Sequence, residues 1–155
     1  MELKTPIPLQ SEHQALRAEI NAAAKLEGKT GRAARLVARL LERHFAVEDE
    51  FAFPPLGLLP DLARGTVEPE MAAAVAMAKK LHDELPNLLA VQRVIVAALE
   101  ELMAAAESEG HEELVGFAEK LMLHEEFERD VSYPTTILIG KYLQLRLKAQ
   151  ESVPT

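Results

Sequence analysis

Two segments of the chain, eighty residues apart, carry the same polar pair inside an apolar stripe, and this repetition limits the fold more than any other feature. The first reads Leu40-Leu41-Glu42-Arg43-His44-Phe45-Ala46-Val47-Glu48, with Phe53-Pro54 after it. The second reads Lys120-Leu121-Met122-Leu123-His124-Glu125-Glu126-Phe127-Glu128, with Tyr133-Pro134 after it. In both, a Glu follows the His by four residues and a Pro follows it by ten. On a helix, positions i and i+4 lie one above the other on the same face, so each segment presents an imidazole beside a carboxylate. That is how helices offer ligands to a metal.

The rest of the chain supplies helices to surround these two. Met1 to Gln10, with Pro6 and Pro8, reads as an extended lead-in. Ser11 then caps a first helix whose inner stripe is His13, Leu16, Ile20 and Ala24. After a turn at residues 27–31, the second helix carries Leu36, Val37, Leu40, Leu41, His44, Val47, Glu48 and Phe51 on one face and ends near Pro54-Pro55. Gly57 to Pro69 reads as a loop. A third helical pattern runs from Pro69 to about Ala106, with a kink or break expected at Pro86. The fourth helix shows Leu114, Phe117, Leu121, His124, Glu128 and Val131, bends or ends at Pro134, and resumes from Ile137 to Leu147. The expectation is an all-α, up-and-down four-helix bundle with an extra helical segment after the fourth helix. It occupies one domain over 1–155, with a core from about 11 to 147.

Composition narrows the function. A net charge of -8 argues against nucleic acid, whose phosphates require a basic surface, and against adhesion to anionic membranes. The longest apolar run, Met71 to Ala78, is far short of the roughly 20 residues that span a bilayer. No signal segment opens the chain, and with no Cys there are no disulfides, zinc ribbons or thiol nucleophiles. A cytoplasmic location is the expectation.

Taken singly, a histidine on an apolar face is most simply a core histidine satisfied by one hydrogen bond. The register argues for more. His13 lies about 16 residues before the first turn, His44 about 15 after it, and His124 about 15 after the second turn at 108–110. At 1.5 Å per residue all three sit roughly 22–24 Å from the turns, so antiparallel helices bring them to one layer. Glu48 and Glu128 share that layer, and no Lys or Arg on the same stripes neutralises them. A buried carboxylate is expensive unless paired or metal-bound. Imidazoles and carboxylates without thiolates suit iron, manganese or zinc, and two carboxylates from opposite helices suggest two ions.

On Glu12-His13, the His44/Glu48 pair with Pro54 and the His124/Glu128 pair with Tyr133-Pro134, the chain resembles the hemerythrin-like (HHE cation-binding) family over roughly Ser11 to Leu147. The resemblance implies an up-and-down bundle around a non-haem di-iron centre, in proteins that bind O2, sense O2 or nitric oxide, respond to iron, or handle peroxide. It implies that His13 and His44 hold one iron, that Glu48 and Glu128 bridge, and that His124 holds the second iron with a third-helix histidine. The chain departs from the family at that histidine. The position on the correct level is Gln92, and the internal repeat aligns Glu12-His13 with Val91-Gln92. A further third-helix histidine of hemerythrins proper falls at Leu88. His82 lies ten residues from Gln92, about 15 Å along a straight helix, and reads as a surface or packing histidine; His111, beside the second turn, reads as exposed.

The expected function is therefore a non-haem iron protein, with one or two ions or another divalent metal, that binds or senses O2, nitric oxide or peroxide. Its ligands would be His13, His44, Glu48, His124 and Glu128, with Gln92 a weak ligand or a hydrogen-bond donor. Binding is favoured over catalysis, although spacing alone does not separate them. The alternative is a metal-depleted bundle with a structural or regulatory role, and a protein partner or homodimer fits the Ala-rich third helix. Tyr133 is a candidate phenolate near the site. Ferritin-like Glu-x-x-His pairs are absent, and His124-Glu125-x-x-Glu128 lacks the second His of a zincin motif.

Overall fold

Proline placement sets most of the helix boundaries. The computed structural model describes residues 1–153. Helix α1 (Ile7–Ala23) starts directly after Pro6, with Pro8 in its first turn. The first turn of a helix tolerates proline because its N–H groups have no intrahelical acceptor. The helix therefore begins five residues earlier than a Ser11 cap would have it. Helix α2 (Gly28–Val47) is followed by a π-helical turn, Glu48–Ala52, and a 3₁₀ turn, Pro54–Leu58. The segment expected to be loop contains the short helix α3 (Leu59–Ala63), with proline again at its start. After a 3₁₀ turn at Pro69–Met71 comes α4 (Ala72–Glu109), 38 residues and about 57 Å long. Helix α5 (Glu112–Phe127), a second π-helical turn (Glu128–Ser132) and α6 (Tyr133–Glu151) complete the described chain.

Two expectations need correction. Helix α4 runs unbroken through Pro86, which is exposed, as are His82 and Asn87 around it, so water can serve the carbonyl that the missing N–H leaves free. Leu36 and Val131, placed on inner stripes by spacing, are 37% and 44% exposed. Val131 lies within the second π-helical turn; Phe51, at the same position of the first, is buried.

The two turns from which the histidines were counted lie at one end of the bundle. Gly28 begins α2 with φ 78°, and the Glu109 carboxylate at the end of α4 accepts hydrogen bonds from the Thr30 N–H (2.6 Å), the Thr30 hydroxyl (2.6 Å) and the Lys29 N–H (3.3 Å). A carboxylate on these orphan N–H groups caps α2 from a distant helix. It also ties the α1–α2 turn to the α4–α5 turn.

The core is in two parts. One, nearer the turns, includes Leu16, Ile20, Val37, Leu41, Phe45, Ile95, Leu99, Phe117 and Leu121. The other includes Phe51, Phe53, Leu81, Leu88, Tyr133, Ile139 and Leu143. In the second, α6 packs along the N-terminal half of α4. Gly140 faces Ala78 at that crossing, where an added Cβ would overlap the Ala78 methyl. Gly140→Ala is therefore expected to cost about 1–3 kcal/mol by overpacking and to lower Tm by thermal melting, whereas Gly116→Ala, where a Cβ meets nothing, should not.

Candidate metal centre

Between the two apolar clusters lies one polar layer. On α2, Leu41 and Phe45 belong to the first cluster and Phe51 to the second, with His44 and Glu48 between them. On α4, Ile95 and Leu88 flank Gln92 in the same way; on α5, Leu121 precedes His124, Glu125 and Glu128. His13 occupies the level on α1, one turn from Leu16. His13, His44, Glu48, Gln92, His124, Glu125 and Glu128 are all buried. The three histidines and two glutamates picked out by register thus do share one layer, joined by Gln92.

Both His-x-x-x-Glu pairs end at the start of a π-helical turn. The Phe53 N–H donates to the Glu48 carbonyl and the Tyr133 N–H to the Glu128 carbonyl, each one residue wider than an α-helical bond. The next residue in each case is proline, which has no N–H to give. Such widened turns are frequent at functional sites. Here each Glu keeps its α-helical relation to the His before it while the chain beyond is re-aimed.

Two groups of donor atoms result, His13/His124/Glu128 and His44/Glu48/Glu128, each with its atoms within 4.8 Å of one another. The partition differs from the one the resemblance implied, since His13 is grouped with His124 rather than with His44. His13 Nε2 lies 3.4 Å from Glu48 and 3.8 Å from Glu128; His124 Nε2 lies 3.2 Å from Glu128. His44 Nε2 lies 2.8 Å from Glu48, 3.3 Å from Glu125 and 3.7 Å from Glu128. Most of these contacts are not hydrogen bonds. Nine nitrogen and oxygen atoms of His13, His44, His124, Glu48, Glu125 and Glu128 are buried with no hydrogen-bond partner. Among the described residues, no Lys or Arg nitrogen lies within 4 Å of these three carboxylates.

That combination fits a metal ion. Ligand bonds of about 2.1 Å put neighbouring donors about 3.0 Å apart in octahedral geometry and about 3.4 Å apart in tetrahedral geometry. The separations of 3.2 Å (His124–Glu128), 3.3 Å (His44–Glu125) and 3.4 Å (His13–Glu48) are long for hydrogen bonds but fall in that range. The donor set, imidazole and carboxylate without sulfur, suits iron, manganese or zinc.

Around the donors the chain provides orientation and dryness. His124 Nδ1 lies 2.7 Å from Glu12 Oε1, which turns Nε2 inward. A carboxylate behind a ligating imidazole fixes its tautomer, and its loss typically costs 10–100-fold in affinity. Glu12→Ala is expected to weaken metal binding by about that much, measured by titration against a competing chelator. Phe45 stacks on His13 at 3.9 Å and 9°, and Phe53 closes the opposite side at 5.4 Å.

Without metal the layer holds itself together through protons. Burial alone would depress His44, but the Glu48 charge and the nearby Glu125 and Glu128 carboxylates overcome it and push the imidazole up to about 12. His124 is pushed up to about 9 against burial, by Glu128 and then Glu12. Glu48 is raised by burial and by the Glu128 charge. Glu128 goes the other way: burial would raise it, but the imidazoles of His124, His13 and His44 around it outweigh that and hold it well below the usual carboxylate range.

The family comparison bears on this layer directly. The model of the hemerythrin HHE cation binding domain matches residues 8–136. The chain belongs to the hemerythrin HHE cation-binding family. No curated protein and no solved structure matches it. The match spans α1 through the second π-helical turn, and so includes every residue of the polar layer in this family member.

Of the other residues named from sequence, His82 is on the surface with its side chain 61% exposed, and His111 sits at the start of α5, partly buried, 3.7 Å from Glu113. Leu88 is in the second apolar cluster. The Gln92 amide Nε2 donates to the Glu125 carbonyl at 3.2 Å and to the Tyr133 hydroxyl at 3.5 Å. Tyr133 is fully buried and donates to Glu48 at 2.5 Å. Burial and the Glu48 and Glu128 charges raise its pKa, so in the metal-free layer it is a neutral phenol. Two residues escaped the sequence reading. Glu125 is 2% exposed, and its signal was that the repeat places it opposite the apolar Phe45. Glu12 was noted only as a neighbour of His13.

Among the described residues, no helix is long and apolar enough to cross a membrane.

Proposed function

We propose that this chain is a non-haem iron protein that holds one or two ions in the polar layer and binds or senses O2, nitric oxide or peroxide. The carrying observation is the set of nine buried donor atoms without hydrogen-bond partners, at separations suited to shared ions. A metal bound there would supply Lewis acidity, one-electron redox capacity and an open position for a small ligand. The residues' part is to hold it: His13 and His124 on one side, His44 and Glu48 on the other, Glu128 between them. Phe45 and Phe53 pack against the His13 ring, and the Tyr133 hydroxyl and Gln92 amide are hydrogen-bond donors beside the His44 side. A cytoplasmic setting, with which a chain lacking cysteine is compatible, belongs to the same proposal.

The deciding experiment is elemental analysis after anaerobic Fe(II) loading and desalting, with near-ultraviolet charge-transfer absorption recorded on exposure to O2 or nitric oxide. One or two irons per chain and a ligand-dependent spectrum are expected. A folded helical protein that takes up no iron would instead favour a metal-depleted bundle acting through a protein partner.

A further inference from the structure

We propose that Glu125 is a metal ligand, supplying to the His44 side of the centre the donor that a third-helix histidine would otherwise bring. This rests on the metal-binding reading above and goes beyond it in naming a residue outside the repeated motif.

The two halves of the chain make the exchange visible. Helices α1 and α2 place His13 against Phe45, stacked ring on ring. In the repeat, the corresponding residues on α4 and α5 are Gln92 and Glu125. One half thus has a donor on its first helix and an apolar residue on its second. The other half has a neutral amide on its first helix and a carboxylate on its second. The donor has moved across the helix pair.

Geometry supports the exchange. Glu125 is 2% exposed, and both its carboxylate oxygens lack a hydrogen-bond partner. Its Oε2 lies 3.3 Å from His44 Nε2, the separation of two donors on one ion. Adjacent helical residues point about 100° apart, so α5 serves two neighbours at once. His124 turns toward Glu12 and His13, while the Glu125 carboxylate turns toward His44. Gln92 is then a positioning residue: its amide holds the main-chain carbonyl of the residue that takes the histidine's place. Helix α4 itself sends only Leu88, Gln92, Ile95 and Leu99 inward near this level, none of them ionisable.

With Glu125 counted, the His44 side has one imidazole and up to three carboxylates, against two imidazoles and the shared carboxylates on the His13 side. The first set is harder, which favours Fe or Mn over softer ions there. It also lies beside a cleft of about 590 Å³ between α4 and α5, lined by both Gln92 and Glu125 and flanked by Arg93 and Arg129. Of the two sides it is the one a small ligand reaches from this cleft.

The test compares wild type with Glu125→Gln and Glu125→Asp. Each is loaded anaerobically with Fe(II), desalted, and assayed for iron per chain and for the Tm gained on loading, with helical content by circular dichroism as the folding control. Glu125→Gln keeps the side chain's size and removes its charge. It is expected to hold one iron fewer than wild type and to lose most of the Tm gain from that ion. Glu125→Asp retains a carboxylate and should restore part of the uptake. If Glu125→Gln keeps both the wild-type iron count and the wild-type Tm gain, Glu125 is not a ligand, and the metal-binding reading stands without it. If wild type itself takes up no iron, both fall.

Discussion

Substituting Glu128 with glutamine is expected to strip this protein of metal more completely than any other single change in the layer. Glu128 is the one residue common to both donor groups, so its loss removes an anionic donor from each at once. Removing His13 or His44 empties only one of them. The consequence extends to the metal-free protein. There Glu128 is the carboxylate held ionised by His124, His13 and His44 in spite of its burial, and so it is their main counter-charge. Breaking one partner out of a buried ion pair costs roughly 3–5 kcal/mol. For a chain of this size that corresponds to a fall in Tm of roughly 6–20 °C, moderated as His124 gives up its proton. Elemental analysis and thermal melting check both parts. A Glu128→Gln protein with the wild-type iron count would show that the shared carboxylate does not join the two positions.

The contrast between Glu128 and Glu125 shows what the sequence could and could not reveal. The four long helices, their layout and the convergence of His13, His44, His124, Glu48 and Glu128 all follow from local periodicity plus distance from the turns, whereas the short α3 does not. Both are one-dimensional quantities, and a straight helix converts them to height with little error. The Glu109 carboxylate fixes the two turns to the same end, so heights counted from each were comparable. What failed was direction around the helix axis where the helix is not regular. The π-helical turns depart from the α-helical period after Glu48 and Glu128, and within them spacing placed Phe51 and Val131 alike inside, whereas only Phe51 is buried. Glu125 was missed because it breaks the stripe: one residue from His124, it belongs to a second inward face that only a helix with two polar neighbours possesses. His44 carries a related asymmetry. Its Nδ1 has no partner, because the repeat position of Glu12 is taken by Val91, which cannot accept a hydrogen bond. Pro86 does not break α4 because its cost depends on whether water reaches the helix there, and it is exposed, as are His82 and Asn87 around it.

The stabilisation gained on adding metal is expected to grow with pH, while the metal-free protein loses stability over the same range. An unfolded histidine titrates near about 6.5. In the fold without metal, His124 is raised to about 9 and His44 to about 12. A group raised by folding contributes its full stabilisation below its unfolded value and loses it as pH rises through its folded value. The metal-free protein should therefore weaken from about pH 6.5 through 9 as the His124 contribution goes, and further above that as His44 follows. Metal binding runs against this trend. An imidazolium cannot ligate, so uptake near neutrality must expel the protons of His44 and His124. Two expelled protons make the apparent Kd about a hundredfold stronger for each unit of pH gained below 9. At fixed free metal well above Kd, each hundredfold adds about 2.7 kcal/mol to the holo protein. Melting curves at pH 6, 7, 8 and 9, with and without anaerobic Fe(II), should show the metal-dependent rise in Tm widening at every step. Calorimetry in buffers of different ionisation enthalpy should count at least two protons released at neutral pH, with more where the raised Glu48 and Glu125 carboxyls give up theirs. A rise that stays flat with pH, or release of no protons, would mean that the ions sit on surface carboxylates and that the buried histidines keep their protons.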